Sequence, residues 1–114
     1  MLISGDIVEL DRGPPSGRQA GFRHPAVVVT AQRILDAGPS VVHVVPLTTT
    51  IRGFGSEVVV ESDDDNRLEQ ASSAQCQHIR AVSFGRVDRV RGNVGAVVLT
   101  QIRDVIGLLL DIPS

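Results

Sequence analysis

The sequence predicts a mostly β fold of the α+β class that ends in one α-helix, and three observations support this. Valine and isoleucine occur 18 and 8 times in 114 residues, and branching at Cβ stiffens χ1 and favours strands. The apolar runs are short and are separated by Gly, Pro and Asp clusters, which is typical of strands joined by turns. From Val97 onward the apolar spacing changes to the helical period.

The apolar runs predict about six strands. These are residues 6–10, 25–30, 40–47, 57–61, 75–83 and 85–94, the last of them broken by Gly92. The run 25–30 is continuously apolar, which indicates a strand buried on both faces. Residues 11–24 are rich in Gly, Pro and Arg and predict a long loop. Residues 31–37 predict a turn of helix that ends at Gly38 and Pro39.

The predicted C-terminal helix has one apolar stripe, whose members are Val98, Ile102, Val105, Ile106 and Leu109. Leu108 and Leu110 are also apolar and leave a surface that a partner or a thicker core could cover. A chain of 114 residues can close one core and is too short for two domains. We therefore expect one domain over residues 1–114, a small curled sheet or barrel with a helix packed on it.

Composition excludes several classes of protein. The net charge of −2 gives no global basic field, so any nucleic-acid site must be local. The single Cys76 excludes an internal disulfide and cysteine-cluster metal sites. No apolar run approaches a membrane span and the first six residues lack a signal pattern, so we expect a cytoplasmic protein. The acidic run 63–66 lacks the spacing of an EF-hand and is interpreted as a solvated turn.

Two clusters of polar residues lie next to the central predicted strands, one directly before residues 25–30 and one at the end of residues 40–47. Arg18, Arg23 and His24 lie in a glycine-containing stretch directly before a buried strand, where guanidinium and backbone N–H groups could bind a phosphate. A solvated hairpin loop would have the same composition. Thr48 and Thr49 end the strand 40–47; their hydroxyls could donate to a phosphate, although strand ends also select threonine.

A third polar group lies in the predicted strand 75–83. Strand alternation places Gln75, Gln77 and Ile79 on one face. The same alternation places Cys76, His78 and Arg80 on the other face. A histidine beside an arginine suits proton transfer and charge stabilisation, but a partly exposed strand face would look the same.

These residues favour a narrow chemistry. The sequence has no carboxylate pair with metal-ligand spacing, no nucleophile motif and no cofactor fingerprint, so we expect neither a metal nor a cofactor. RNA supplies its own nucleophile, the 2′-OH. Its cleavage needs a base, a cation for the phosphorane charge and an acid for the leaving 5′-oxygen, which arginine, histidine and threonine can provide.

The sequence resembles the MazF/PemK (Kid) family of toxins along nearly its whole length. The resemblance rests on the order and spacing of several short segments, namely Gly5-Asp6-Ile7, residues 17–30, residues 44–49, Gly53-Phe54, residues 76–82, residues 91–94 and the leucine-rich terminal helix. It implies an SH3-like barrel with a C-terminal helix. It also implies a homodimeric, metal-independent, sequence-selective endoribonuclease of single-stranded RNA, neutralised by a cognate MazE-like antitoxin with a disordered acidic tail.

The resemblance also implies site residues. The family's catalytic arginine precedes the proline of the second strand; here His24 holds that position and Arg23 stands one place earlier. Either Arg23 stabilises the phosphate charge with His24 near the scissile bond, or His24 has taken part of the role as general base. The family's active-site threonine corresponds to Thr48.

Further residues are expected to contact the substrate. They are Arg18, Gln19, Thr49, Gln77, His78 and Arg80. Kid-like members carry an arginine and an aspartate where this chain has Gln75 and Gln77, so the family's acid and base assignments do not transfer.

Two other functions remain open from the sequence. A CcdB-like gyrase poison shares the barrel and helix and cleaves nothing, but the C-terminal Trp of such proteins is absent here. A family member that binds RNA or an antitoxin without turnover is the second, because Gln75, Gln77 and His24 depart from the family pattern.

Overall fold

The structure is a computed structural model that describes residues 1–11 and 23–113, with the backbone alone for Arg23. The elements in chain order are β1 (Asp6–Asp11), β2 (Arg23–Val28), α1 (Gln32–Asp36), β3 (Val41–Thr48), β4 (Glu57–Val60), β5 (Ser72–Gln75), β6 (Arg80–Ser83), β7 (Val87–Asn93) and α2 (Gly95–Leu109). Two short 3₁₀ turns, Cys76–His78 and Phe84–Arg86, precede β6 and β7. The predicted fold class, mostly β with a C-terminal helix, is confirmed.

Seven strands, rather than about six, form an antiparallel sheet in the described residues. The prediction of one strand over residues 75–83 is wrong, because Gln75 is the last residue of β5, Cys76–His78 is a 3₁₀ turn, and β6 begins only at Arg80. The predicted break at Gly92 is also wrong, because β7 continues through Gly92, which pairs with Ile7 of β1 next to a register shift.

The strand β3 lies at the centre of the sheet. Along one edge it pairs with β2, with Ala26 opposite Pro46. Along the other edge its first half pairs with β6 and its last two residues pair with β5. Pro46 lies between these two sets of pairs, where the N–H that proline lacks is not needed for a ladder on that edge.

The core is divided between the two faces of the sheet. One face packs against α2, where Leu99 and Ile102 are buried with Ile7, Val27 and Val45. The other face encloses a second cluster, to which five strands contribute side chains: Val8, Leu10, Ala26, Val28, Val42, Val44, Val82 and Val87. Five strands can surround one cluster only if the sheet curls, so the arrangement agrees with the small barrel that was expected. Residues 26–30 are buried, as predicted, whereas Pro25 is half-buried and β2 ends at Val28, two residues before the predicted end of the strand.

The helix α2 begins at Gly95, two residues before the predicted change of period. Four members of the predicted stripe pack on the core, but Leu109 is 46% exposed, and Leu99 is buried instead. Leu108 and Leu110 are exposed with Leu109, so the last turn of α2 extends past the packed part of the helix. Within the described ranges, no helix is long and apolar enough to cross a membrane.

The acidic turn after β4 is solvated except at one residue. Asp63, Asp64 and Asp65 are exposed, whereas Asn66 is buried. The Asn66 side chain accepts hydrogen bonds from the N–H groups of Asp63 and Leu68 at 3.1 and 3.0 Å. Asn66 therefore organises the turn from inside.

Candidate active site

A groove of about 420 Å³ opens on the curled face of the sheet. It lies beside the point where β3 changes partner from β6 to β5, and the Cys76–His78 turn fills part of that gap. The lining residues are Leu10, His24, Pro25, Ala26, Val44, Pro46, Leu47, Thr48, Gln75, His78 and Arg80. The groove thus has an aliphatic floor and five polar side chains that come from β2, β3, β5, the turn and β6.

His24 and Thr48 come from neighbouring strands and line the same groove. The β2–β3 pairing ends where Ala26 lies opposite Pro46. His24 and Thr48 each lie two residues beyond this pair. His24 lies opposite Leu10 of β1, which belongs to the buried cluster. The backbone at His24 is therefore held by its pairing with β1.

The hydroxyl of Thr48 can act as a donor in the groove. Its Oγ1 accepts a hydrogen bond from the N–H of Thr50 at 3.1 Å. A threonine hydroxyl has one proton and two acceptor sites, so this contact orients the side chain and leaves the proton for a ligand.

His78 and Arg80 form the cationic side of the groove. Both are exposed. In the described part of the chain, no carboxylate lies within ion-pair distance of the Arg80 guanidinium. An unpaired guanidinium beside an imidazole favours an anionic ligand, because the fork of N–H donors matches phosphate geometry.

The predicted alternation over residues 75–80 is wrong, and the 3₁₀ turn is the reason. Cys76 does not share a face with His78 and Arg80; it is fully buried between the sheet and α2. Burial raises the pKa of the Cys76 thiol to about 11, so the thiol stays protonated and unreactive. Gln75 and Gln77, predicted to lie on one face, both turn their amide groups toward Glu57, but only Gln75 lines the groove.

A carboxylate that the sequence did not single out lies behind the groove. The side chain of Glu57, the first residue of β4, is 1% exposed. Its Oε2 accepts hydrogen bonds from Gln77 Nε2 at 2.6 Å and Arg52 at 2.8 Å, and its Oε1 accepts from Ser73 Oγ at 3.0 Å. Gln75 Nε2 approaches the same Oε2 at 3.5 Å.

The environment of Glu57 keeps the carboxylate ionised. Burial raises the pKa of Glu57. Hydrogen bonds from Gln77, Arg52 and Ser73 and the charge of Arg52 lower it by more, so the pKa falls from 4.5 to about 2. The Arg52 guanidinium also lies 4.7 Å from the centre of the exposed Phe54 ring. Glu57 therefore connects the 49–56 loop to the β5 side of the groove. The only sequence signal was a glutamate at the start of a strand, which is ordinary on a surface.

The other predicted site residues are distributed as follows. His24, Thr48, His78 and Arg80 line the groove, whereas Gln77 does not. Thr49 is exposed and is not among the lining residues. Arg18, Gln19 and the side chain of Arg23 lie outside the described residues, so their roles remain predictions. Among the described residues, no group of three or more His, Cys, Asp or Glu side chains has a metal-binding arrangement.

Comparison with known families decides the relationship. The sequence profile of the PemK-like, MazF-like toxins of type II toxin–antitoxin systems matches residues 3–110. The chain belongs to this family. A curated relative, endoribonuclease MazF9 of Mycobacterium tuberculosis, is 32% identical over 118 residues that cover both proteins completely.

Solved structures of MazF proteins share the fold of this family member. Mycobacterium tuberculosis toxin MazF-mt6 superimposes with a TM-score of 0.76 at 22% identity, covering 96% of this chain and 99% of that one. A chain of the MazE–MazF crystal structure from Deinococcus radiodurans gives a TM-score of 0.78 at 22% identity, covering 98% and 97%. The curled sheet with α2 is thus the fold of MazF toxins.

Proposed function

We propose that this MazF-family chain is a sequence-selective endoribonuclease toxin that cleaves single-stranded RNA in the groove without a metal ion. The carrying observation is the groove itself, which collects His24, Thr48, His78 and Arg80 from four separate segments. Family membership and the endoribonuclease relative support the choice of substrate.

The proposed reaction needs only groups that RNA and this chain supply. The 2′-oxygen attacks the adjacent phosphorus while a base removes its proton, and the bond from phosphorus to the 5′-oxygen breaks as an acid protonates that oxygen. The products are a 2′,3′-cyclic phosphate and a 5′-hydroxyl. Negative charge accumulates on the non-bridging oxygens, so fixed donors and cations there lower the barrier.

The groove residues divide these roles by chemistry. Thr48 donates a hydrogen bond to a phosphate oxygen, and Arg80 stabilises the phosphorane charge; we expect Arg23, whose side chain lies outside the described residues, to share that role. Arginine stays protonated and threonine is a poor base, so the imidazoles of His24 and His78 are the groove side chains that can accept and return a proton. We assign the 2′-OH proton to His24, because it stands at the position of the family's catalytic arginine and lines the groove with Thr48.

The partners follow from the same site. Type II toxins are paired with an antitoxin, and we propose a MazE-like antitoxin whose acidic tail occupies the cationic side of the groove. We also propose a homodimer, because Leu108, Leu110 and Ile112 are 81%, 58% and 57% exposed at the end of α2. We place the toxin in the cytoplasm, where RNA is available and the single buried cysteine needs no oxidising conditions.

The test is cleavage of a long single-stranded RNA by purified protein in EDTA, with the cut ends mapped. Arg23→Ala, His24→Ala and Thr48→Ala are compared with His43→Ala and Arg33→Ala, which remove an exposed imidazole and an exposed guanidinium outside the groove. We expect cuts at a short recurring sequence, lowered on the order of 10²- to 10⁴-fold by His24→Ala and unchanged by His43→Ala.

Intact RNA at micromolar wild-type protein would overturn the proposal. Binding of RNA or antitoxin without cuts would then favour the family member that lacks turnover, for which Gln75 in the groove is the specific observation. Inhibition of gyrase would favour the CcdB-like alternative. Cleavage that disappears in EDTA and returns with a metal ion would overturn metal independence alone.

A further inference from the structure

The buried carboxylate of Glu57 determines how two glutamine side chains are oriented. A carboxylate only accepts hydrogen bonds, so every amide that faces it must turn its NH₂ group toward it. Gln77 does so at 2.6 Å and Gln75 at 3.5 Å. Glu57 thus removes the ambiguity of which end of each amide points inward.

Gln77 shows how strong this preference is. Its Oε1 is buried and has no hydrogen-bond partner among the described residues. Leaving a buried acceptor unpaired is unfavourable, and the amide would be expected to rotate if another orientation were better. The contact with Glu57 outweighs the unpaired oxygen.

The consequence for the groove lies in Gln75. This side chain lines the groove beside Thr48 and His78, yet its NH₂ group is the end that approaches Glu57. The amide atom left for the groove is the carbonyl oxygen, which is an acceptor. The groove then presents an acceptor on the same surface as Arg80.

We propose that Glu57 is a specificity-positioning residue, which holds the Gln75 carbonyl oxygen toward the RNA so that the groove prefers a base with an amine at C6 of a purine or C4 of a pyrimidine. Adenine and cytosine turn an NH₂ group to such an acceptor, whereas guanine and uracil present a carbonyl oxygen at the corresponding atom. The inference rests on the proposed ribonuclease function. Glu57 itself touches no RNA.

The test compares oligonucleotides that carry the mapped cleavage sequence. At each position adenosine is replaced by inosine, or cytidine by uridine, which exchanges the amine for a carbonyl and also turns the adjacent ring nitrogen from an acceptor into a donor. Purine riboside, which lacks only the amine of adenosine, is therefore tested beside inosine. We expect wild-type protein to favour the amine by about tenfold in kcat/KM at one position, the effect of one hydrogen bond. We expect that ratio to fall toward one in Glu57→Gln, because the new amide allows Gln75 to turn either way.

Two further variants separate orientation from general damage. Gln75→Ala removes the side-chain carbonyl oxygen from the groove surface and is expected to abolish the same preference. This variant tests the inference even if Glu57→Gln does not fold. Ser73→Ala removes one donor to Glu57 Oε1 and leaves both amides in place, so the ratio is expected to persist. Far-ultraviolet circular dichroism and the melting temperature check each variant.

The outcomes are distinguishable. No cleavage by wild-type protein overturns the proposed function and this inference with it. Cleavage with no amine preference at any position, or with the same ratio in Gln75→Ala and Glu57→Gln, overturns the inference and leaves the ribonuclease intact. An equal loss of the ratio in Ser73→Ala would show that Glu57 only supports the fold.

Discussion

At the scale of single residues, the sequence indicated four polar side chains of the groove but not the carboxylate that orients the glutamines beside them. His24, Thr48, His78 and Arg80 were candidates because of their chemical types, and they line one groove. Glu57 was not a candidate, because its partners lie 5 to 20 residues away along the chain. Local pattern therefore predicts reactive groups better than it predicts the groups that orient them.

Because Glu57 is ionised in the folded protein, the free energy of unfolding is expected to depend on pH. Its pKa falls from 4.5 to about 2 on folding, so the unfolded chain binds a proton first as pH decreases. The stabilisation is fully present above about pH 5 and is lost as pH falls from about 4.5 to 2. We expect urea unfolding to show a difference between wild type and Glu57→Gln that is constant from pH 5 to 7 and shrinks below pH 4.5. A difference that stays constant down to pH 3 would contradict the depressed pKa.

Gly92 is required by a close backbone approach. A Cβ at this position would lie 2.5 Å from the Asp65 carbonyl oxygen and 2.6 Å from that of Asn66. Both are backbone atoms of the turn that Asn66 organises, so β7 or the turn must move. We expect Gly92→Ala to lower the free energy of unfolding by roughly 1–3 kcal/mol, measured by urea titration. Gly55→Ala, where a Cβ meets nothing within 4 Å, serves as the control.

At the scale of elements, the exchange of partners along β3 creates the site. The sequence of residues 75–83 has the apolar content of a strand, but only its ends are strand: Gln75 is the last residue of β5, and Arg80–Ser83 is β6. They pair with different parts of β3, so the chain between them must turn. That turn brings His78 into the groove and buries Cys76. A continuous strand would have placed Cys76 and His78 on the same face.

The helix α2 contains a glycine that packing does not require. Gly107 lies in the last three residues of the helix, and a Cβ there would meet nothing within 4 Å. Alanine has a higher helix propensity because it loses less backbone entropy on folding. We expect Gly107→Ala to raise the free energy of unfolding by about 0.5–1 kcal/mol. Destabilisation, or a change in oligomeric state, would show that Gly107 allows a close approach by another chain.

At the scale of the whole molecule, net charge and apolar surface give different information. The net charge is −2, yet the groove carries the exposed Arg80 guanidinium, so the positive charge there is local. The exposed end of α2 carries an apolar cluster that the monomer leaves uncovered. The first feature suits an RNA site on an acidic protein, and the second suits assembly.

The dimer proposal is tested at this scale. Light scattering after gel filtration is expected to give twice the monomer mass of 12.1 kDa for wild type. Leu108→Asp combined with Leu110→Asp is expected to give the monomer mass, because charges in an apolar interface are strongly unfavourable. Val97→Asp places the same charge on an exposed position at the other end of α2 and is expected to remain dimeric. Monomeric wild-type protein at micromolar concentration would contradict the proposal.

The sequence by itself determined the class of the fold, most of its elements and the chemistry of its candidate groups. It could do so because the spacing of apolar residues along a short segment indicates which positions of a strand or helix are buried, as in residues 25–30 and the stripe from Val98 to Ile106. It erred where a local pattern was ambiguous, as over residues 75–83 and at Leu109.

Only the tertiary structure decided which of those groups meet. His24 and Thr48 line one groove because β2 and β3 are neighbours in the sheet, and the turn within residues 75–83 follows from the two partners of β3. Glu57 acquired its importance through hydrogen bonds to Arg52, Ser73 and Gln77. Such contacts depend on how distant segments pack, and no spacing along the chain encodes them directly.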